Sequence, residues 1–279
     1  NGKVVNDYRL RRALPTIQYL RERGARVIFI SHMGQMGTET LVPVAEALGK
    51  LVSGVSFCSE TIGEKARAAV RSLSPGNILV LENLRRNKGE ERNDPSFARE
   101  LAALADIFVQ DSFDTTHRTH ASIVGVPKLL PSYAGLLFED EVTELSRALT
   151  PKHPALAVIG GAKFATKEEV LTTLLTIYDQ VFVGGALAND FLKAAGQEVG
   201  KSLVSNADWG AIKKLIDSPR LVLPLDSVVV SANGGREIRR HTFRTSSASR
   251  IAPVGQVLPG ETILDHGPGT SALLADLAQ

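Results

Sequence analysis

The sequence predicts an α/β fold, parallel sheets covered by helices, in two domains divided near residue 150. Three observations carry that expectation. Short apolar runs alternate with amphipathic stretches along the 279 residues, as in strand–helix–strand units whose helices cover a parallel sheet. Thr150-Pro151-Lys152-His153-Pro154 interrupts the alternation, because two prolines stop any helix before them. Glycine-rich or basic turns recur where apolar runs end, at the carboxyl edge where open parallel sheets collect ligands.

Taken in order, Leu10–Arg23 repeats its apolar residues at helical spacing and leads to a strand at Arg26–Ser31. Helices follow at Thr40–Leu51 and Glu64–Arg71, then a strand at Ile78–Glu82. A helix at Ser96–Leu104 precedes a strand at Ile107–Gln110, and a helix at Glu139–Leu149 runs into the proline linker. Beyond it, Ala155–Ile159 is an apolar strand and Glu168–Tyr178 a helix, followed by a strand at Gln180–Val183. Helices at Leu187–Ala195 and Asp208–Asp217 precede strands at Leu221–Leu223, Ser227–Val230 and Thr262–Asp265. Ala232 to Gly255, rich in Gly, Ser and Arg, reads as a hairpin and loop. The chain opens on Asn1-Gly2, a turn signal, and closes inside an apolar helical pattern at Leu273–Gln279; both ends read as cuts through a larger protein.

Bulk properties narrow the function. Hydrophobic residues make up 43% of the chain, enough for substantial cores, and mean hydropathy is +0.01. A formal charge of +2 argues against a general nucleic-acid or membrane surface, so any basic site is local. Cys58 is the single cysteine and cannot form an intramolecular disulfide, which fits a reducing compartment and a cytoplasmic location. No apolar run approaches the roughly 18 residues of a membrane span, and no signal peptide is expected.

The most informative motif is Gly160-Gly161-Ala162-Lys163-Phe164-Ala165-Thr166-Lys167. It lies where a strand turns into a helix, a place that favours an anion, and a Gly-Gly pair lets backbone come close to a ligand. Two lysines there suggest a polyphosphate. The spacing matches neither Walker A nor Gly-x-Gly-x-x-Gly. Val183-Gly184-Gly185-Ala186 repeats the strand, Gly-Gly, helix arrangement. Asp265-His266-Gly267-Pro268-Gly269-Thr270-Ser271-Ala272 gives a third such edge and matches Gly-x-Gly-x-x-Ala, with a proline between its glycines. Each pair alone is most simply a packing device; three in one domain favour a nucleotide-binding edge.

In the first half, Ser31-His32-Met33-Gly34, Leu81–Glu91 and Asp111–Ser122 follow successive strands. If those strands are parallel neighbours, His32, Arg85 and Arg118 converge on one edge, with Arg9 nearby from the first helix. Guanidiniums so grouped suit bidentate binding of phosphate and carboxylate. Singly, each arginine is a surface charge paired with local acids; together they point to a small polyanion. His117 and His120 with Asp111 and Asp114 are too loosely spaced for a metal set, so no metal residues are assigned. Phe108, Phe113, Phe182 and Phe191 read as core.

Together these motifs resemble phosphoglycerate kinases over nearly the whole chain. The resemblance rests on Arg9 followed by Ala13-Leu14-Pro15-Thr16-Ile17, then Ser31–Gly34, Leu81–Arg85 with Lys88-Gly89-Glu90-Glu91, and Asn93-Asp94-Pro95. It continues through Asp111–Ser122, Gly160–Lys167, Gly184-Gly185, Gly200-Lys201-Ser202-Leu203, Leu223-Pro224-Leu225-Asp226 and Leu264–Pro268. It implies two Rossmann-like three-layer αβα domains joined by a helix: residues 1–150 binding 3-phosphoglycerate, the connecting helix near 136–149, and residues 151–279 binding nucleotide. It implies glycolytic phosphoryl transfer between 1,3-bisphosphoglycerate with ADP and 3-phosphoglycerate with ATP, Mg²⁺ being held mainly by the nucleotide. Carried over by motif, Arg9, His32, Arg85 and Arg118 contact 3-phosphoglycerate. Arg9, Lys163 and Lys167 act on the transferred phosphoryl, and Gly160, Gly161, Gly184 and Gly185 line the nucleotide pocket with the lysines. Small-molecule substrates and a monomer are expected, without nucleic-acid or membrane partners.

The chain departs from the pattern at Gln35 (an Arg position), Asp114 (a Gly position), Thr166 (an Asp position) and Gly269 (a Lys or Glu position), and lacks the family's first strand and last segments. Those departures suggest a second reading, a non-catalytic ligand-binding relative or an inactive fragment. A third, a dinucleotide-dependent oxidoreductase, rests on Gly267-Pro268-Gly269 alone.

Overall fold

The computed structural model describes residues 3–230, 236–240, 257, 260 and 262–278. The turn read at Asn1-Gly2 and most of the Ala232–Gly255 stretch lie outside them. The chain divides into two compact units, Asn1–Ser146 and Arg147–Gln279.

The first unit runs α1 (Tyr8–Glu22), β1 (Val27–Phe29), α2 (Val42–Leu51), β2 (Val55–Cys58), α3 (Gly63–Arg71), β3 (Ile78–Leu81), α4 (Lys88–Glu91), α5 (Pro95–Ala102), β4 (Phe108–Gln110), β5 (Ser132–Ala134) and α6 (Leu136–Ala148), whose end belongs to the second unit. Its main sheet has the order β1-β3-β2, all parallel, with β3 in the middle. Ile-Leu-Val-Leu of β3 is buried at every position, as expected of a strand covered on both faces. The period of two then sorts its side chains. Ile78 and Val80 pack with Ile17, Leu41, Ala45 and Leu48 from α1 and α2. Leu79 and Leu81 pack with Ala66, Phe97 and Leu101 from α3 and α5. Helices therefore cover both faces, giving three layers.

β4 pairs in parallel with β5 as a separate two-stranded sheet. Neither β2 nor β5 is expected from the sequence. Val55-Ser56-Phe57-Cys58 is too short to show a period, and Ser132–Ala134 is exposed throughout, leaving no apolar signal.

The second unit runs β6 (Leu156–Ile159), α7 (Glu168–Ile177), β7 (Gln180–Val183), α8 (Gly185–Ala194), α9 (Trp209–Ile216), β8 (Leu221–Val222), β9 (Asp226–Val230), β10 (Arg236–Arg240), β11 (Thr262–His266) and α10 (Pro268–Leu277). β6-β7-β8 form a parallel sheet whose central residues Val181 and Val183 pack with Phe164, Leu171, Leu187 and Phe191. At its start, Asp179 accepts hydrogen bonds from Ala155 N at 2.7 Å and lies 2.7 Å from His153 Nδ1. The second sheet, β10-β9-β11, is antiparallel, an addition to the parallel sheets that the sequence predicts. Its cause is visible at Asp226, the first residue of β9. The Asp226 carboxylate takes hydrogen bonds from Gly269 N and Thr270 N, each at 2.8 Å, just beyond the end of β11. That requires β11 to end where β9 begins, and His266 is indeed opposite Ser227. Among the described residues no helix is long and apolar enough to cross a membrane.

Burial at the end of β3 yields a stability test. Glu82, 3% exposed, accepts hydrogen bonds from Asn83 N (2.8 Å), Leu41 N (2.9 Å), Thr40 Oγ1 (2.8 Å) and Arg86 Nη1 (2.8 Å). Burial pushes its carboxyl up, but those donors outweigh it and the net displacement is downward. Glu82→Gln should therefore cost about 1–3 kcal/mol at neutral pH, the penalty of buried donors left without their acceptor. Because the folded carboxyl titrates below its unfolded value near about 4.3, its stabilisation is complete above that value. It is lost as pH falls through the lower folded value. Urea unfolding of both proteins should show a gap at pH 7 that closes in acid; a gap independent of pH would show that the ionised form is not what stabilises.

Candidate active site

One cluster lies in each unit. In the first, His32 follows β1 and Arg85 follows β3, and the parallel pairing of these strands puts both on one edge. Arg118 comes from the loop after β4. His32 is half-buried, and its imidazole is held below its ordinary pKa. Burial is the largest cause, then the positive charges of Arg85, Arg118 and His120, with Asp114 pulling the other way. The structure thus brings His32, Arg85 and Arg118 together, although β4 is not hydrogen-bonded into the main sheet. Arg9 lies exposed on α1 and shares no hydrogen bond or ion pair with them.

Asn83 builds the edge. Fully buried, it donates from Nδ2 to Met33 O (2.8 Å) and Glu39 O (2.9 Å) and accepts from Arg85 N (3.1 Å). One carboxamide therefore fixes the loop after β1 against the turn carrying Arg85. Gly37, at φ +68°, presses against the Arg85 carbonyl, and any side chain there would strike that backbone. Arg85 is 11% exposed in its side chain and donates to Gly34 O; its Nε lies 3.2 Å from Glu91 Oε1 but out of line for a hydrogen bond. Arg118 is partly exposed and, among the described residues, has no ion pair. Asn83 escapes the sequence reading as a site residue, and His120 enters it only as a weighed metal ligand. Asn83 stands inside the Leu-Glu-Asn-Leu-Arg block but carries no charge to flag it.

The four residues weighed as metal ligands do other things. Asp111 accepts from Thr16 Oγ1 (2.8 Å) and Leu137 N (3.1 Å), Asp114 accepts from Ser112, and His120 Nδ1 lies 3.8 Å from Glu90. His117 is exposed. Burial pushes the Asp111 carboxyl up against the pull of its donors. No group of three or more His, Cys, Asp or Glu among the described residues is placed to hold a metal ion.

In the second unit the two Gly-Gly turns meet. Gly161 (φ +147°) and Gly185 (φ +61°) adopt backbone that L side chains rarely take. Gly184 N donates to Ile159 O (2.9 Å) and Leu187 N to Gly161 O (2.7 Å), so the start of α8 is tied to the end of β6. Both lysines sit on one braced turn: Lys167 N donates to Phe164 O (2.7 Å) and Thr166 Oγ1 to Lys163 O (3.0 Å). The second bond needs a hydroxyl proton at position 166, which an ionised Asp could not supply. Lys163 is exposed, Lys167 half-buried, and neither makes an ion pair among the described residues. A side chain at Gly161 would come within 3.3 Å of Lys167 Cε, so this glycine leaves room for the lysine stem. Beside the second turn lies a cavity of about 140 Å³ lined by Gly185, Ala186, Asn189, Leu203, Pro224 and Ile263 among others.

The third glycine edge is closed. Besides Gly269 N and Thr270 N, the Asp226 carboxylate accepts from Thr270 Oγ1 at 2.6 Å. A carboxylate of the chain itself thus fills the N-terminus of α10, where a dinucleotide would need to place its phosphates. Gly267-Pro268-Gly269 is structural.

Comparisons with known proteins agree in direction. The model of the family described as phosphoglycerate kinase matches residues 1–279. The phosphoglycerate kinase of Azorhizobium caulinodans is 41% identical over 99% of this chain and 70% of its own length. That of Roseiflexus castenholzii is 42% identical over 97% of this chain and 69% of its own length. Among solved structures, a phosphoglycerate kinase from Coxiella burnetii superposes with a TM-score of 0.75 at 38% identity, covering 99% of this chain and 70% of that one. One from Pyrococcus horikoshii gives 0.83 at 28% identity, covering 99% and 71%.

The His32 cluster can be checked directly. The imidazole should titrate below about 6.5 by NMR, and Arg118→Ala should move its midpoint upward by removing one of the charges that depress it. An unmoved midpoint would mean that Arg118 does not face His32.

Proposed function

The chain belongs to the phosphoglycerate kinase family, and we propose the following assignment of its residues to that family's reaction, the reversible transfer of a phosphoryl group between 1,3-bisphosphoglycerate with ADP and 3-phosphoglycerate with ATP. Residues 1–150 form the phosphoglycerate-binding domain and residues 151–279 the nucleotide-binding domain, joined by the helix near 136–149. His32, Arg85 and Arg118 hold 3-phosphoglycerate, with Arg9 supplying charge toward the phosphoryl in transfer. The support is the grouping of Arg85 and Arg118 near His32, whose imidazole is depressed first by burial and then by their charges, with no ion pair at Arg118 among the described residues. A neutral His32 donates a hydrogen bond where another full charge would be costly beside two guanidiniums.

The observation that carries the nucleotide assignment is the braced turn holding Lys163 and Lys167, without carboxylate partners among the described residues, against the paired glycine turns. Phosphates lie along Gly160, Gly161, Gly184 and Gly185, and the lysines stabilise the phosphoryl in flight. The cavity beside Gly185 receives the base. Mg²⁺ enters as part of the nucleotide substrate, held mainly by phosphates and water. In the ATP-consuming direction the attacking atom is a carboxylate oxygen already ionised at neutral pH, so no general base is required. What remains is positioning and charge stabilisation, for which cations and glycines suffice.

Two measurements test this. Arg118→Ala should weaken 3-phosphoglycerate binding by roughly 1.5–3 kcal/mol, a lost charge-assisted contact, and an unchanged dissociation constant at low salt removes Arg118 from the site. Lys167→Ala should lower turnover far more than it weakens ADP binding; equal losses would make Lys167 a plain ground-state ligand. The non-catalytic alternative draws on Gln35 and on Asp114, whose negative charge reaches His32. Binding of both substrates without turnover in a coupled assay would favour it.

A further inference from the structure

We propose that Asp190 and Ser205 form a positioning pair that sets the turn carrying Lys163 and Lys167; this rests on the assignment of those lysines to the transferred phosphoryl. Asp190 lies on α8 with no exposure to solvent, an expensive place for a carboxylate. Both its oxygens serve one residue: Oδ1 accepts from Ser205 N at 2.7 Å and Oδ2 from Ser205 Oγ at 2.6 Å. With its proton committed to Asp190, the Ser205 hydroxyl presents its lone pairs elsewhere. One accepts Phe164 N–H at 3.4 Å, at the residue directly after Lys163.

Among the described residues, the rest of the lysine turn is braced within itself, by hydrogen bonds from Lys167 N to Phe164 O and from Thr166 Oγ1 to Lys163 O. Where the turn points is decided by how its first residues are held. α8 supplies both holds from adjacent positions. Asp190 acts through Ser205, and Phe191 meets the buried Phe164 ring edge-on at 5.8 Å between centroids. The neighbouring Asn189 fixes the same segment by donating from Nδ2 to Leu203 O at 3.0 Å. The helix that begins at the Gly184-Gly185 turn therefore also fixes the direction of the lysines, so both parts of the phosphate site share one rigid support.

Asp190→Asn keeps the shape but reverses the chemistry. An amide facing the serine donates to Oγ and competes with Phe164 N–H for the same lone pairs. Ser205→Ala removes the link while Asp190 keeps its charge and the hydrogen bond from the residue 205 N–H, so it serves as an independent second variant. Both should lower turnover by roughly ten- to a hundredfold, the scale of a misplacement near 1 Å, while ADP affinity by calorimetry changes much less. Ser205→Thr, which keeps the hydroxyl, should restore most of the rate. The Ser205→Ala effect should shrink in a Lys163→Ala background, as for residues acting through one another. An unchanged rate in Ser205→Ala, or the same factor in both backgrounds, overturns the pair. Failure of Ser205→Thr to restore the rate does so too. If Lys163→Ala and Lys167→Ala are themselves silent, the assignment of the lysines fails and the positioning role falls with it.

Discussion

The structure depends on how loops at strand ends satisfy buried backbone donors. A parallel sheet covered on both faces ends its strands among helix starts and turns, where N–H groups have no ladder partner and little water. Each one left unpaired costs about 1–3 kcal/mol. This chain solves the problem with carboxylates and one carboxamide. Glu82 takes Leu41 N and Asn83 N, Glu90 takes Ser122 N, Asp111 takes Leu137 N, Asp190 takes Ser205 N, and Asp226 takes Gly269 N and Thr270 N. Asn83 ties Met33 and Glu39 to the Arg85 turn. Most join segments far apart in sequence, so each loop is fixed by a residue that belongs to another.

A consequence for charge follows. Most of these acids are turned to backbone donors and hydroxyls rather than to the basic groups of the two clusters, although Glu82 also pairs with Arg86 at 2.8 Å. Arg9, Arg118, Lys163 and Lys167 keep their charges without an ion pair among the described residues, and Arg85 is shared only with Glu91. Unpaired cations on a rigid frame are what a polyanionic substrate requires, since a local carboxylate would have to be displaced first. The low pKa of His32 comes first from burial and then from the positive charges of Arg85, Arg118 and His120 on the same edge. Rigidity matters as much as charge, because phosphoryl transfer is limited chiefly by positioning.

Much of this was legible in the sequence. Strands such as Gln180–Val183 and the helices over Glu168–Tyr178 and Asp208–Asp217 follow from apolar period alone, and their observed bounds differ by a residue or so. The lysine turn and the meeting of His32 with Arg85 and Arg118 were also readable, since charge at a strand end is visible in one dimension. What escaped were partners separated by long stretches of chain. Nothing local marks Asn83 as the clasp of the Met33–Glu39 loop, or Asp190 as the anchor of Ser205. β2 and β5 lack a periodic signal, and β11 is apolar enough to be seen as a strand while its antiparallel pairing depends on Asp226.

That dependence separates sites from look-alikes. Three turns here share the plan of strand, glycines and helix, and local sequence cannot rank them. At Gly160-Gly161 and Gly184-Gly185 the glycines pack against each other, and among the described residues the adjacent lysines make no ion pair. At Gly267-Pro268-Gly269, Asp226 already lies on the helix start, held by the hydroxyl and N–H of Thr270, and a phosphate would have to compete with a buried carboxylate of like charge. A helix N-terminus attracts an anion in either case. Which anion it holds depends on whether another strand has delivered a carboxylate, and among the described residues no acid pairs with the two lysines.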